Sequence, residues 1–306
     1  MERLDAARLR RRASLCRTWL FVEGANEAAI DVAAGCGADV LIHELEDFTP
    51  PELRPKARAM APQVYERWRQ AGRVVAVRVN PLGGDGIDDL AAVMRGRPDI
   101  VALPKVGDPS DIARLDAEVT RFERAYGITE GSTRLLPNIE FARGLVQTMA
   151  IAKVSPRVDA CLLASEDLAA DLGAERGPDG LELSYARQRF LVECVAAGVV
   201  AVDCPYTWSD AEGVAHDTRF ARRLGYKARS LVAADHAAII NKLLTPQEDE
   251  LRHARETVAV FEAARARGEA RAHRADGALV ELPGYFTAQR LLRRDAELRV
   301  ADAAEG

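Results

Sequence analysis

Short apolar runs alternate with longer amphipathic stretches along most of the chain. The apolar runs are rich in β-branched and aliphatic residues, and they occupy eight segments, at residues 19–22, 40–42, 74–80, 100–106, 134–140, 158–163, 199–203 and 228–232. Helical periodicity fills the intervals, at residues 26–34, 51–70, 88–94, 110–126, 142–153, 185–197, 210–224 and 237–244. Strands that alternate with helices predict parallel pairing, and continuous apolar strands predict a sheet that is covered on both faces. Eight such units predict a closed (β/α)8 TIM barrel rather than an open doubly wound sheet.

The pattern changes after Thr245 and Pro246. A charged helix is predicted at residues 247–267, a hairpin at 271–282 and a final helix at 286–300, and none of them continues the strand series. We therefore expect a catalytic barrel domain at residues 1–245. Residues 246–306 are expected to form a carboxyl-terminal extension that packs on a neighbouring subunit.

Composition and charge narrow the class of protein. The 306 residues are 48% hydrophobic and 29% charged, which is typical of a soluble globular protein. No apolar stretch is long enough to span a membrane, and the net charge of −5 does not favour nucleic acid. The amino-terminal stretch MERLDAARLRRRASLC is basic but lacks the apolar segment of a secretory signal, so a cytoplasmic location is the default expectation. The five cysteines show no CxxC spacing and are interpreted as reduced thiols.

Polar side chains stand at the ends of the predicted strands two to six. In a barrel of this kind the active site lies at the carboxyl-terminal ends of the strands, so these residues should meet at one rim. They are Glu44, Glu46 and Asp47, then Arg78 and Asn80, then Lys105, then Asn138 and Glu140, and finally Ser165, Glu166 and Asp167.

Glu140 and Asp167 are the candidate metal ligands. They follow consecutive strands, so their carboxylates should come close together across the mouth of the barrel. Two close carboxylates repel unless a cation lies between them, and an oxygen-only set with open positions suits Mg²⁺. The alternative is that each residue caps the helix that follows it. The additional presence of Arg78 and of the strand-two acids favours the metal site.

Arg78 lies inside an apolar strand, where a free guanidinium is poorly tolerated. Its planar fork matches a carboxylate in a two-point contact, so it is a candidate for binding an anionic substrate. The alternative is an internal ion pair with Glu46 or Asp47, and both roles can hold in turn. For His43, a core or supporting position is favoured over metal ligation. The sequence contains no dinucleotide-binding, P-loop or Gly-x-Ser-x-Gly signature.

Seven motifs together resemble one family. They are RTWLFVEGAN at 17–26, DVLIHELED at 39–47, VRVNP at 77–81, LPKV at 103–106, NIE at 138–140, ASEDLAADLG at 164–173 and AVD at 201–203. In register, they resemble the citrate lyase β-subunit-like branch of the HpcH/HpaI aldolase superfamily. The resemblance covers nearly the whole chain, including the tail.

The resemblance implies a barrel in which Glu140 and Asp167 hold Mg²⁺, with Mn²⁺ as the alternative ion. It also implies that Arg78 binds the carboxylate of a 2-oxo or 2-hydroxy acid. Members of the family make or break a carbon–carbon bond next to a carbonyl, often with an acyl-CoA as one partner and commonly as trimers or hexamers. The expected function is therefore that of a Mg²⁺-dependent lyase or aldolase, which acts on a hydroxy acid or hydroxyacyl-CoA through an enolate. Glu46 and Asp47 are expected to hold Arg78 and the waters of the metal.

In the family, an Asp from the tail of an adjacent subunit is thought to move the proton. The matching stretch here is DGALVELP at 276–283, which puts Glu281 at that position and makes it the candidate acid–base group.

Other departures from the family pattern fall at Glu23, at His43 and Glu44, and at Leu231-Val-Ala233 in place of the usual Ile-His-Pro. The half of the site for the metal and the oxo acid matches the family, whereas the half expected to meet CoA differs. Two alternatives therefore stand beside the lyase. One is a non-catalytic or regulatory relative that binds the metal and an oxo acid, and the other is an acyl-CoA thioesterase or synthase-like enzyme.

Overall fold

The barrel is closed by eight parallel strands in the order of the sequence. The structure is a computed structural model that describes residues 11–303, so most of the basic amino-terminal stretch lies outside the described residues. The strands are β1 (Thr18–Glu23), β2 (Val40–Glu44), β3 (Val74–Arg78), β4 (Ile100–Leu103), β5 (Arg134–Ile139), β6 (Ala160–Leu163), β7 (Val200–Asp203) and β8 (Ala228–Leu231). Strand β1 pairs with β8 as well as with β2, which closes the sheet. The predicted (β/α)8 barrel is confirmed.

Helices surround the barrel, and each predicted helical segment overlaps at least one observed helix. They are α1 (Glu27–Gly35), α2 (Arg54–Gln70), α3 (Gly86–Val93), α4 (Pro109–Ala125), α5 (Ala142–Leu145), α6 (Thr148–Lys153), α7 (Ser165–Leu172), α8 (Ser184–Ala197), α9 (Ala211–Leu224) and α10 (His236–Leu244). The structure differs from the prediction in two places. The segment at 142–153 is divided into α5 and α6, and α7 is a short additional helix directly after β6.

The two faces of each strand have different surroundings. Trp19, Ile42 and Leu136 belong to the cluster inside the barrel. The residues of opposite parity, such as Leu41 and Leu135, pack between the strands and the helices. Because side chains alternate along a strand, Glu44, Arg78 and Glu140 share the parity of the inward-facing residues. The alternation thus directs these charges to the mouth of the barrel.

His43 has the opposite parity and lies in the layer between β2 and α2. Its Nε2 lies 2.9 Å from the carbonyl oxygen of Gly24, and its Nδ1 lies 3.2 Å from the hydroxyl of Tyr65. Trp68 completes its aromatic surroundings. Burial lowers the pKa of His43 to about 4. His43 is therefore a hydrogen-bonded core residue, as favoured from the sequence, and it does not face the rim.

We expect His43 to make the protein less stable as the pH falls from 6.5 towards 4. Its pKa is about 4 when folded and near 6.5 when unfolded, so the unfolded chain binds the extra proton in this window. The free energy of unfolding should fall by up to about 1.4 kcal/mol per pH unit from this group. Chemical denaturation of the wild type and of His43→Gln at several pH values measures it. Parallel stability curves for the two proteins would contradict this account.

Two glycines show where the fold requires a residue without a side chain. Gly198 follows α8 with a φ of +79°, the left-handed conformation that ends many helices before a strand. At Gly24, a Cβ atom would lie 2.4 Å from the carbonyl oxygen of Glu44. The Gly24 amide donates to the hydroxyl of Thr49, which in turn donates to the Glu44 carbonyl. The loop after β1 is thus packed tightly against the end of β2.

The chain divides into two compact units, Met1–Leu244 and Thr245–Gly306. The second unit contains α11 (Glu248–Ala266), the antiparallel pair β9 (Ala272–His273) and β10 (Leu279–Val280), and α12 (Leu282–Ala303). Its small core includes Phe261, Ala264, Ala272 and Val280. Within the described residues, no helix has the length and apolar character needed to cross a membrane.

Candidate active site

Arg78 is the central cation of the carboxyl-terminal rim. Its guanidinium is buried and forms ion pairs with Glu44, with Glu46 at 3.3 Å and with Glu140 at 3.5 Å. Burial alone would lower the pKa of Arg78, but its acidic neighbours, Glu44 foremost, raise it above its ordinary value. Arg78 therefore stays charged, and the carboxylates hold its fork in place.

Two aromatic rings contact the same guanidinium. The Cζ atom of Arg78 lies 4.8 Å from the ring centroid of Phe21 and 5.7 Å from that of Phe48. The two rings meet edge to face, with centroids 6.1 Å apart. Cation–π contacts of this kind restrict the orientation of a guanidinium. Neither ring was among the site residues predicted from the sequence, although the inward parity of Phe21 was a usable signal.

Glu140 follows β5 and is fully buried. Its Oε2 accepts a hydrogen bond of 3.0 Å from the backbone N–H of Lys105, and its Oε1 contacts Arg78. Burial raises the pKa of Glu140 to about 8, with Glu46 and Asp167 adding to the rise and Arg78 opposing it. The helix-cap alternative is wrong for Glu140, because Phe141 is the N-cap of α5 and the first backbone N–H of that helix, at Ala142, donates to the carboxylate of Asp171.

Asp167 lies in the first turn of α7, half-buried, close enough to Glu140 to influence its pKa. Among residues 11–303, no hydrogen bond or ion pair engages its carboxylate. No group of three or more acidic, His or Cys side chains in this part of the chain could hold a metal alone. Magnesium commonly binds through one or two carboxylates and completes its shell with water or substrate oxygens. The donor pair Glu140 and Asp167 fits that pattern.

Asp47 does not contact Arg78, which corrects the sequence-based expectation. Its carboxylate instead lies 3.3 Å from the Nζ atom of Lys105 and is 46% exposed. The reason is local, since β2 ends at Glu44 and Asp47 lies in the turn beyond it. Glu44 takes the position against Arg78 that was expected of Asp47. Glu46 contacts Arg78, as expected, and also contacts Lys105.

The remaining predicted residues have separate surroundings. Asn80 donates to the Leu45 carbonyl and to Asp89, which gives it a structural role. Glu166 pairs with Arg176. Glu281 belongs to the second unit, where its carboxylate lies 2.8 Å from the Nε atom of Arg271.

The fold and the rim define a class of protein, a (β/α)8-barrel enzyme with an arginine among carboxylates at the catalytic end. The model of one family, described as HpcH/HpaI aldolase/citrate lyase, matches residues 17–234. The chain belongs to this family, which confirms the resemblance found in the motifs and the predicted class, a carbon–carbon lyase.

Known relatives match along most of the chain. The citrate lyase subunit β of Leuconostoc mesenteroides subsp. cremoris is 31% identical over 281 residues, which are 91% of this chain and 93% of that protein. The L-malyl-CoA/β-methylmalyl-CoA lyase of Cereibacter sphaeroides is 30% identical over 301 residues, covering 91% and 94%. A crystal structure of CitE from Mycobacterium tuberculosis, in complex with magnesium, acetoacetate and coenzyme A, is 27% identical. It covers 92% of this chain and 98% of its own, with a TM-score of 0.72.

Proposed function

We propose that this protein is a Mg²⁺-dependent carbon–carbon lyase that releases or condenses a 2-oxo acid, acting on a hydroxy acid or a hydroxyacyl-CoA. The observation that carries the proposal is the ion pair of buried Arg78 with Glu140, together with the carboxylate of Asp167, which influences the pKa of Glu140 and has no partner among residues 11–303. The magnesium complex of the CitE relative supports the choice of Mg²⁺. We propose Mn²⁺ as a substitute ion.

Different residues of the rim would bind the metal and the substrate. Glu140 and Asp167 would hold the metal, which when bound supplies a Lewis acid that polarises the oxygen of a carbonyl. Arg78 binds the substrate carboxylate, and its fork is already oriented by Glu44 and Glu46. The rings of Phe21 and Phe48 contact the guanidinium and restrict its orientation further.

A cavity of about 490 Å³ next to the rim supports a second substrate portion. Phe21 and Phe48 line it on the side of Arg78, and Glu23 and Val232 line it elsewhere. Glu23 and Val232 are positions at which the chain departs from the family pattern. We propose that this cavity receives the part of the substrate remote from the oxo acid, so its lining decides between an acyl-CoA and a free acid.

We extend the proposal to Glu281 as the proton-transfer group, supplied by the tail of a neighbouring copy in a trimer or hexamer. Its carboxylate is 48% exposed and is held only by Arg271 among the described residues. We expect Glu281→Gln to lower kcat by about 100-fold or more while KM stays within about threefold, because proton transfer is lost but binding is kept. Glu281→Asp should keep partial activity. Steady-state kinetics and sedimentation of each variant provide the measurement, and unchanged turnover in Glu281→Gln would exclude this assignment.

The lyase function is tested by a substrate screen. Purified protein with Mg²⁺ is incubated with hydroxyacyl-CoA esters and with free hydroxy acids, and the release of pyruvate, glyoxylate or oxaloacetate is followed. We expect an oxo acid from at least one set and none after chelation of the metal. Binding of an oxo acid without any product would favour the non-catalytic alternative, and release of free CoA alone would favour the thioesterase.

A further inference from the structure

Lys105 has an unusual backbone at the rim. It follows β4 and adopts a φ of +56°, and among the described non-glycine residues only Arg97 also has a positive φ. A non-glycine residue in this region costs on the order of 1 kcal/mol, so it persists only where the surroundings demand it. Here the conformation directs the backbone N–H of Lys105 to Glu140 Oε2, at 3.0 Å. The strained backbone thus positions one of the two proposed metal ligands.

The side chain of Lys105 serves a different pair of acids. Its Nζ atom contacts Glu46 Oε1 and lies 3.3 Å from Asp47 Oδ1 and 3.4 Å from Asp47 Oδ2. Lys105 is the only ion-pair partner of Asp47 among residues 11–303. The ammonium therefore lies between two carboxylates, which is the position a metal ion would take between them.

The other charges at the rim show what the ammonium of Lys105 prevents. Arg78 already contacts Glu44, Glu46 and Glu140. Without Lys105, the carboxylates of Glu46 and Asp47 would form a second pair of oxygen ligands for a divalent cation, of the same type as Glu140 and Asp167. A cation held there would compete with the arrangement that catalysis requires.

We propose that Lys105 is a positioning residue that selects the site of the metal. Its ammonium takes the place of a cation between Glu46 and Asp47, and its backbone N–H holds Glu140 in the orientation of a ligand. This inference rests on the proposed function for the identity of the native metal pair.

Removal of the ammonium should create metal binding rather than abolish it. Lys105→Met keeps an unbranched side chain only one atom shorter and keeps the backbone strain, but it loses the charge, so we expect the metal-free full chain to bind two Mn²⁺ ions instead of one. Activity should fall at least about tenfold, mainly in kcat, because the second ion disturbs Arg78 and its carboxylates. A merely structural lysine would give weaker metal binding in the variant.

The test is a titration of metal-free protein with Mn²⁺, followed by electron paramagnetic resonance of the free ion. Wild type and Lys105→Arg should bind one ion, Lys105→Met two, and Lys105→Met combined with Glu46→Gln one. Lys105→Gly is the second variant, because glycine accepts the positive φ and retains the N–H, and it should also bind two ions.

A single ion of unchanged affinity in both Lys105→Met and Lys105→Gly would overturn the inference. A different result would reject the proposed native metal pair without rejecting the role of Lys105. If the wild type binds no ion while Lys105→Met binds one, the proposed native pair is wrong but the role of the ammonium stands.

Discussion

Replacing Arg78 by Lys should lower kcat/KM by about 100-fold to 1,000-fold, although the positive charge is kept. Lysine cannot make the two-point contact of the guanidinium with a carboxylate, and it loses the contacts with Phe21 and Phe48. The loss should appear in KM for the oxo acid as well as in kcat. Steady-state kinetics in the condensation direction, with the oxo acid varied, is the direct measurement.

The matched control is Arg187→Lys. Arg187 is also buried and ion-paired, with Asp203 and with Asp217 at 2.7 Å, but it lies on α8 among the helices that surround the barrel. This variant should lose stability while its KM for the oxo acid stays near the wild-type value. Equal kinetic losses in the two variants would show that Arg78 acts through the fold rather than on the substrate.

Glu140→Gln should abolish activity and at the same time stabilise the metal-free protein at alkaline pH. The pKa of Glu140 is about 8 in the folded chain, well above the ordinary value of 4.5, so the folded state binds more protons between these values. By linkage, stability is highest below pH 4.5 for this group and is lost as the pH rises through 8. Glutamine does not ionise, so at pH 9 the variant should gain up to about 5 kcal/mol over the wild type.

The loss of activity is measured with the lyase assay, and the gain of stability is measured by denaturation of the metal-free proteins at pH 6 and pH 9. Added Mg²⁺ should stabilise the wild type but not the variant, since binding to the folded state alone raises stability. A variant that is less stable than the wild type at both pH values would show that ionised Glu140 is well solvated. That result would remove the reason for expecting a cation beside it.

The sequence predicted the barrel because its strands are almost continuously apolar and its helices are periodic. The exceptions have local causes. The short helix α7 follows β6 directly and carries acidic residues in its first turn. These residues were interpreted as polar groups at the end of a strand, so no helix was predicted there. The break between α5 and α6 falls where Thr148 donates back to the carbonyls of Gly144 and Leu145.

The candidate site was predicted in part, and the difference follows from geometry. The position of Arg78 and Glu140 at the rim was predicted from the ends of the strands, and the alternation of side chains explains why they point inward. Glu46 and Asp47 were predicted to hold Arg78, and Glu46 does contact it at 3.3 Å. Glu44 takes the place expected of Asp47, because the exact end of β2 decides which acid points inward. The left-handed backbone of Lys105 has no sequence signal, since it depends on contacts with residues distant along the chain.

The central claim is that Glu140 and Asp167 hold a magnesium ion beside Arg78. Its most direct test is a calorimetric titration of Mg²⁺ into metal-free protein, with and without pyruvate, in wild type and in Asp167→Asn. The account predicts one ion per chain in the wild type, tighter binding when pyruvate is present, and no binding in the variant. Absence of Mg²⁺ binding in the wild type under both conditions, or equal binding in Asp167→Asn, would contradict it.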